Sequence, residues 1–367
     1  MKRWLAGLFV VLSPSAFAQS TSAPELQFDS VPNFIKLPAD MHLGEASGVA
    51  VNSKGNIFVY SRGGTVANAF GATASQILEF RKDGSYVREV GKNLYAWAFA
   101  HTVRIDKEDN IWATDKGSDM IVKMNAAGRV QMVWGRKSEA SDAEAHAHER
   151  PNPPAPHVDG RFRQPTDVAW DNAGNAFISD GYINARVAKV SKTGEWLKSW
   201  GKKGKADGEF DTLHSIANDG NNNIYVADRN NRRVQVFDNE GTFKYKFSID
   251  IPPPPDAKPA IGNMPNLTNY LTTGGTQTPG APWAICITPG PNPVMFISDA
   301  FPGRLYKLSL DGKVLGMMGK SGKQLKEFGW IHQIACPNEN EVYVAEILNW
   351  RVQKLVIKNG NQQANKR

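Results

Sequence analysis

The sequence of 367 residues predicts an all-β fold, a six-bladed β-propeller of four-stranded antiparallel blades. Three observations predict it. A unit of short apolar strands and tight turns recurs six times, an acidic residue or serine ends the second strand of each unit, and a turn glycine follows at a nearly fixed distance. Such units cannot bury their own faces, so we expect them to pack side by side around a central channel.

One unit illustrates the pattern. An apolar segment at 214–217 is followed by the Asn/Gly-rich turn 218–223 and by a second strand at 224–228. A third strand at 233–237 then leads into the turn 238–241. Alternating apolar residues separated by Asn, Asp and Gly are typical of antiparallel strands joined by tight turns.

The residue that ends the second strand marks each unit. These markers are Ser61, Asp115, Asp180, Asp228, Asp299 and Glu346. A turn glycine follows five markers by 13 or 14 residues, and Gly84 follows Ser61 by 23, which indicates an insertion in the first unit. The last unit begins at Phe328 and ends after three strands, near Ile357. We expect a strand within residues 26–37 to complete it, because an open ring would expose two sheet edges.

The chain divides into three segments. Residues 1–18 have the form of a signal peptide, with Lys2 and Arg3 before a short apolar run and a small-residue cleavage site at Ala16 to Ala18. Residues 19–358 form the predicted propeller, and residues 359–367 a C-terminal tail. Two long segments, 137–160 and 250–280, interrupt the repeat. We interpret them as loops over one end of the ring, either rims of a site or surface decoration.

Composition limits the partners and the location. The net charge of +7 is modest and no dense Lys/Arg run occurs, so nucleic acid is not expected as a partner. No internal segment is long and apolar enough for a membrane span, and we expect an exported protein, periplasmic or secreted. Cys286 and Cys336 could pair after export, but they lie 50 residues apart in different units, which favours unpaired cysteines.

Histidines recur at one position of the repeat, 14 residues before the marker, which we call the hub position. The hub residues of units one to four and six are Ser47, His101, Thr166, His214 and His332, and in unit five the equivalent is Trp283 or Ala284. Alternate units of a six-fold ring are related by a third of a turn, so the three histidines should converge on the axis. They predict a three-coordinate metal site with an open position, although each could instead bond a backbone carbonyl.

Polar residues just after the markers are expected at the same end of the ring. Arg62 follows Ser61, Arg229 follows Asp228, and Tyr182 lies two residues after Asp180. Arginines can bind a carboxylate, and a tyrosine beside cations can act as a base. Each also has a structural interpretation: surface charge for Arg62, a salt bridge between blades for Arg229, and a rim aromatic for Tyr182. A further set recurs near strand starts and is interpreted as structural: Arg186, Arg233, Arg304 and Arg351.

The units resemble NHL repeats, and the fuller resemblance is to the peptidyl-α-hydroxyglycine α-amidating lyases. The stretches that carry it are 47–51, 162–169, 179–186 and 227–231, within a resemblance that extends over residues 43–357. It implies an exported lyase that cleaves the C–N bond of a carbinolamide to give an amide and glyoxylate. The implied substrate is a small or peptide-derived α-hydroxyglycine.

The resemblance also assigns residues to roles. It implies zinc, Zn(2+), bound by His101, His214 and His332, with Tyr182 as the catalytic tyrosine and Arg62 and Arg229 as the substrate-site arginines. It further implies calcium, Ca(2+), held by the carbonyls of Val49 and Val103 and by the residue after the last histidine. That residue is an Asp in the family and Gln333 here, and Ile183 stands where the family has a cysteine.

Two other functions remain open from the sequence. The first is a non-catalytic propeller that binds a partner or serves as a scaffold, with its polar corners purely structural. The second is a metal-dependent hydrolase of the lactonase type. Lactonase propellers favour carboxylate and asparagine ligands around calcium, whereas three histidines suit a metal such as zinc.

Overall fold

The protein folds into six four-stranded antiparallel sheets, which confirms the predicted propeller. A computed structural model describes residues 22–63, 75–137 and 148–358. Within these residues the helical content is one short helix, α1 (Tyr270–Thr273), in the 250–280 insertion. The predicted signal segment 1–18 and tail 359–367 lie outside the described residues.

The strands follow the predicted units. The first strand is β1 (Phe28–Ser30). Blade 1 consists of β2 (Glu45–Val51), β3 (Ile57–Arg62), β4 (Ser75–Phe80) and β5 (Tyr86–Val90), and blade 2 of β6 (Ala100–Ile105), β7 (Ile111–Asp115), β8 (Met120–Met124) and β9 (Val130–Trp134). Blade 3 consists of β10 (Asp167–Trp170), β11 (Ala176–Asp180), β12 (Arg186–Val190) and β13 (Trp196–Trp200), and blade 4 of β14 (Leu213–Asn218), β15 (Ile224–Asp228), β16 (Arg233–Phe237) and β17 (Phe243–Phe247).

The last two blades complete the ring. Blade 5 consists of β18 (Ala284–Ile287), β19 (Met295–Ser298), β20 (Leu305–Leu308) and β21 (Val314–Met318), followed by the short pair β22 (Lys320–Ser321) and β23 (Glu327–Phe328). Blade 6 contains β24 (Ile331–Asn338), β25 (Glu341–Glu346) and β26 (Arg351–Ile357). Its fourth strand is β1, which pairs with β26 in the register Phe28 to Ile357. The expected closing strand within residues 26–37 is therefore confirmed.

The core lies between the blades. Six clusters of buried apolar side chains each combine one face of a blade with the facing side of the next. The second strands are buried along nearly their whole length because neighbours cover both faces, whereas the outer strand β17 alternates between exposed and buried residues. Burial of apolar area at all six interfaces stabilises the ring.

The two cysteines form a disulfide, so the expectation of unpaired cysteines is wrong. Cys286 on β18 and Cys336 on β24 do lie on different blades, as the sequence indicated, but these blades are neighbours and the Cα atoms are 6.0 Å apart. Both side chains are buried in the interface between blades 5 and 6. Face-to-face packing of successive blades therefore brings together two cysteines that lie 50 residues apart in the sequence.

The markers fix the corner that precedes each inner strand. The Asp115 carboxylate accepts hydrogen bonds from the backbone N–H groups of Ala98 (2.9 Å) and Phe99 (3.0 Å). Asp228 accepts the N–H of Asp211 at 2.7 Å, and Glu346 that of Gly329 at 2.7 Å. Each corner lies directly before a strand that carries a hub histidine, so the buried carboxylates set where these strands begin.

The arginines interpreted as structural have structural contacts. Arg186, Arg233 and Arg351 each donate from Nε to the carboxylate of the marker in their own blade, at 3.1, 2.7 and 2.8 Å. Arg304 differs, since its backbone N–H bonds Asp299 while its Nη1 donates to the carbonyl of Pro252 at 2.9 Å.

Candidate metal centre

The three hub histidines lie at irregularities of the inner strands. The pairing of β6 with β7 shifts register between Ala100 and Thr102, so His101 is the extra residue of a β-bulge. The same shift brackets His214 between Leu213 and Ser215, and His332 between Ile331 and Gln333. A bulge turns a side chain away from the regular strand direction. Here it directs each imidazole toward the axis.

The three imidazoles converge, as the hub spacing predicts. Their ring centroids are 4.5 to 4.9 Å apart, and one nitrogen from each ring lies within 4.8 Å of the other two. All three side chains are buried. Among the residues that the structure describes, this is the one cluster of histidine, cysteine or acidic side chains close enough to hold a metal ion.

The other ring nitrogen of each histidine bonds a carbonyl of the following blade. His101 Nδ1 lies 2.6 Å from the oxygen of Thr166, His214 Nδ1 lies 2.7 Å from that of Trp283, and His332 Nδ1 lies 2.7 Å from that of Ser47. Ser47 and Thr166 are the hub residues of blades 1 and 3, and this contact identifies Trp283 as the hub residue of blade 5. The sequence left Trp283 or Ala284 open.

Burial and these hydrogen bonds together determine the protonation state of the three histidines. Burial lowers the pKa of all three imidazoles well below the ordinary value, and nearby positive charges lower it further, so the rings are neutral near pH 7. A neutral imidazole has one N–H, and a carbonyl can only accept, so Nδ1 carries the proton. The lone pairs of the Nε2 atoms are then available for a metal. Three neutral nitrogen donors fit zinc and leave a position open for substrate.

Tyr182 joins this cluster from blade 3. Its hydroxyl lies 3.0 Å from His214 Nε2 and 3.4 Å from His101 Nε2. The preceding Gly181 permits this approach, because a Cβ there would lie 1.8 Å from the carbonyl oxygen of Leu213, directly before His214. Tyr182 therefore lies beside the hub histidines.

The guanidinium group of Arg229 lies beside Tyr182. Its guanidinium carbon is 5.5 Å from the centroid of the Tyr182 ring and 4.6 Å from that of Trp283. Its buried Nε has no hydrogen-bond partner, and within the described residues no carboxylate pairs with it. The predicted alternative of a salt bridge between blades therefore does not describe Arg229.

Arg62 is buried rather than a surface charge. Its Nη1 donates to Glu45 at 2.6 Å and its Nε to the carbonyl of Ala100 at 2.9 Å, one residue before His101. The guanidinium carbon also lies 4.0 Å from the centroid of the Phe99 ring. Glu45 thus pairs with Arg62, and much of the hydrogen-bonding capacity of this arginine is directed at the protein.

Lys116 is a site residue that the sequence interpretation missed. Its Nζ lies 3.8 Å from the centroid of the Tyr182 ring, and burial, with added repulsion from Arg62 and Arg229, lowers the pKa of its ammonium group. No carboxylate within the described ranges pairs with it. A signal was present, since Lys116 directly follows the marker Asp115, as Arg62 and Arg229 follow theirs.

The cations act together on Tyr182. Burial alone would raise the pKa of its phenol, but the positive charges of Lys116, Arg229 and Arg62 outweigh burial and hold the pKa below the ordinary value. A tyrosine with a lowered pKa can accept a proton more readily near neutral pH. The arrangement combines three histidines that could hold a metal, a potential base and two cations, Arg229 and Lys116, that have no carboxylate partner in the described part of the chain.

Gln333 occupies the position for which the resemblance implies calcium. Its Oε1 accepts the backbone N–H groups of Val49 and Val103, both at 3.0 Å, and its Nε2 donates to the carbonyl of Val103 at 2.7 Å. Calcium requires converging oxygen ligands. Here the amide oxygen already faces two N–H donors, and an N–H group points at one of the carbonyls, so these contacts do not fit a calcium ion.

Two further described histidines, His148 and His157, have contacts away from the hub. His148 Nε2 lies 2.9 Å from Asp119 Oδ2, and His157 Nε2 lies 2.6 Å from the carbonyl of Asn184. His146 lies outside the described residues. Neither described contact adds a ligand to the central cluster.

Comparisons with known proteins agree with the repeat and the fold. The NHL repeat profile matches residues 210–237. Peptidyl-alpha-hydroxyglycine alpha-amidating lyase 1 of Drosophila melanogaster is 25% identical over 349 residues, covering 86% of this chain and 58% of that protein. A probable lyase of the same name from Caenorhabditis elegans is 28% identical, covering 53% of this chain and 56% of that protein. The predicted resemblance is confirmed.

Longer relatives share only part of their length. The peptidyl-glycine alpha-amidating monooxygenase of Mus musculus is 29% identical over 217 residues, which cover 53% of this chain and 20% of that protein. The chain thus spans about a fifth of this relative and little more than half of the two lyases.

Solved structures share the fold. A streptogramin B lyase has a TM-score of 0.54 at 12% identity, covering 91% of this chain and 98% of that chain. A gluconolactonase from Xanthomonas campestris has a TM-score of 0.53 at 13% identity, covering 86% and 87%. At these identities the likeness concerns the fold alone. No helix in the described part of the chain is long and apolar enough to cross a membrane.

Proposed function

We propose that this protein is a zinc-dependent lyase that cleaves the C–N bond of an α-hydroxyglycine derivative, releasing an amide and glyoxylate. The observation that carries the proposal is the convergence of three neutral histidines on one point beside the Tyr182 hydroxyl, 3.0 Å from His214. The similarity to proteins named as amidating lyases supports the same reaction.

The proposed roles follow from the contacts. His101, His214 and His332 would hold the zinc ion, which when bound supplies Lewis-acid polarisation of an oxygen. Tyr182 accepts the proton of the substrate hydroxyl, because the cations around it favour the phenolate. Arg229 and Lys116 hold the substrate carboxylate, and Arg62 adds positive potential near the reacting oxygen.

The step balances without a further reactant. As the hydroxyl proton passes to the Tyr182 phenolate, the carbon–oxygen bond becomes the carbonyl of glyoxylate and the C–N bond breaks. The electron pair of that bond goes to the amide nitrogen, and the proton held by Tyr182 is returned to this nitrogen. The products are one amide and one glyoxylate, and the tyrosine is regenerated.

Glyoxylate release tests the proposal. We expect the zinc-loaded protein to release stoichiometric glyoxylate from N-acyl-α-hydroxyglycines, faster than an enzyme-free control. Elemental analysis should find about one zinc per chain in the wild type and far less in His214→Ala, because two ligands hold zinc poorly. Equal metal content in both proteins would contradict the three-histidine site. A zinc-loaded protein that releases no glyoxylate from any such compound would contradict the lyase activity.

A further inference from the structure

An apolar surface adjoins the histidine cluster on blades 5 and 6. It consists of Trp283, Trp330, Ile347 and Leu348, which pack together and which we call the apolar wall. The Trp283 ring centroid lies 4.9 Å from that of His214 and 5.3 Å from that of Trp330. Trp283 and Ile347 are buried, whereas Trp330 and Leu348 are partly exposed. The wall thus has a surface that a ligand can cover.

The charged groups lie on the other blades. Lys116 and Arg62 belong to blades 2 and 1, and Arg229 to blade 4, at the edge of the wall over Trp283. In a ring of six, blade 2 faces blade 5 and blade 3 faces blade 6 across the axis. Tyr182 on blade 3 therefore faces the apolar wall across the histidines, with Lys116 against its ring and Arg229 close to both Tyr182 and Trp283.

We propose that the substrate is an N-acyl-α-hydroxyglycine whose acyl group is apolar and packs against Trp330 and Leu348. This inference rests on the proposed function. An α-hydroxyglycine carries a carboxylate at one end and the acylated nitrogen at the other. When the carboxylate lies at Lys116 and Arg229, the acyl group extends from the opposite side of the reacting carbon, toward the wall. Because the cations bind the carboxylate at one end of the substrate, the apolar wall is left to contact the acyl group at the other end.

The wall predicts a preference that can be measured without catalysis. Each methylene group of the acyl chain that is removed from water by packing against Trp330 and Leu348 favours binding. N-hexanoylglycine, which lacks the reactive hydroxyl, should bind the zinc-loaded protein about tenfold more tightly than N-acetylglycine. N-succinylglycine places a second carboxylate against the wall and should bind no better than N-acetylglycine, because that charge loses water without gaining a partner.

Two tryptophan variants isolate the wall. Trp330→Ala should remove most of the tenfold preference, as isothermal calorimetry would show. Trp350→Ala is a matched control, because Trp350 also has a positive φ of 49°, against 57° for Trp330, yet is 59% exposed and outside the wall. It should keep the preference. Equal affinity for the hexanoyl and acetyl compounds, or a preference unchanged in Trp330→Ala, would overturn the apolar subsite. Glyoxylate release separately tests the lyase activity.

A second inference concerns Gln333 and does not depend on the reaction. Gln333 is buried on β24 of blade 6 and bonds backbone groups of Val49 on blade 1 and Val103 on blade 2. Its three hydrogen bonds therefore join three blades next to the axis. We infer that the Gln333 amide replaces a cation at this position and that the protein folds without calcium.

Calcium analysis tests this inference on the zinc-loaded protein. After dialysis against calcium-free buffer that contains zinc, the wild type should hold no calcium, and added calcium should not change its melting temperature. Gln333→Asp should melt at a lower temperature without calcium, because its carboxylate cannot donate to the Val103 carbonyl, and added calcium should restore it. Gln333→Leu should melt lower and not respond to calcium. Stoichiometric calcium in the wild type, or stabilisation of the wild type by calcium, would overturn the inference.

Discussion

The Nδ1 atom of His332 lies 2.7 Å from the carbonyl oxygen of Ser47, so the last blade of the ring orients its proposed metal ligand on the first. His101 and His214 form the same bond to the blade that follows each of them. Each proposed ligand thus depends on an interface between blades as well as on its own strand. Bonds of this kind fix the orientation of metal-binding imidazoles.

Tyr182→Phe should separate catalysis from metal binding. The ring keeps its packing, but the phenol oxygen that is proposed to accept the substrate proton is lost, so the rate of glyoxylate release should fall by about 10²- to 10⁴-fold. Zinc content should stay at that of the wild type, because the three histidines are unchanged. Retention of most of the activity would show that another group accepts the proton.

Lys116→Met should weaken binding of the substrate carboxylate. Loss of a charged hydrogen bond of about 1.5–3 kcal/mol corresponds to a rise in KM of tenfold or more. Lys116→Arg keeps a positive charge and should restore part of the affinity. The measurement is KM with zinc content as the control. An unchanged KM for Lys116→Met would contradict a role of Lys116 in substrate binding and would leave Arg229 to bind the carboxylate alone.

Removal of the disulfide should lower stability without emptying the proposed metal site. Replacing Cys286 and Cys336 together by alanine removes a cross-link over 50 residues, and we expect the free energy of unfolding to fall by about 2–4 kcal/mol. Guanidinium unfolding of the zinc-loaded proteins measures this change. Unfolding midpoints that coincide would indicate that the bridge adds nothing to the packed interface.

Asp119→Asn should reduce the pH dependence of stability. Burial raises the pKa of the Asp119 carboxyl from 3.8 to about 6 despite its hydrogen bond with His148, and the nearby Asp180 raises it further. Folding therefore favours the protonated acid. The stabilisation is present below about pH 4 and is lost as the pH rises through 6, a change of order 2 kcal/mol.

The asparagine variant cannot ionise, and Asn tolerates the φ of 59° at this position. Relative to the wild type, it should gain stability on going from pH 5 to pH 8, by about 2–3 °C in melting temperature. The two proteins should be compared at the same zinc concentration. A wild type and variant whose melting temperatures change in parallel with pH would refute the raised pKa.

Features that repeat along the chain could be predicted from the sequence. The spacing of 14 residues before each marker located His101, His214 and His332, because each blade follows the same path from the axis outward. The closing strand was predictable for the same reason, since the last unit lacked one strand.

Contacts between blades could not be predicted in this way. The Cys286–Cys336 bridge and the pairing of Arg62 with Glu45 depend on how neighbouring strands face each other, which spacing alone does not specify. The role of the odd-numbered blades was also hidden, because their contribution to the histidines is a backbone oxygen that any residue supplies.

The alternation of histidine and carbonyl contributions from successive blades makes the site sensitive to the number of blades in the ring. Even-numbered blades carry an imidazole and odd-numbered blades carry the oxygen that orients it, so neither kind can be added or lost singly without placing two of the same kind side by side. A duplication that inserted one blade would leave a histidine without its acceptor or an acceptor without its histidine. The three-histidine cluster is therefore tied to a ring of six blades, because any other number of blades would change the angle between the histidines.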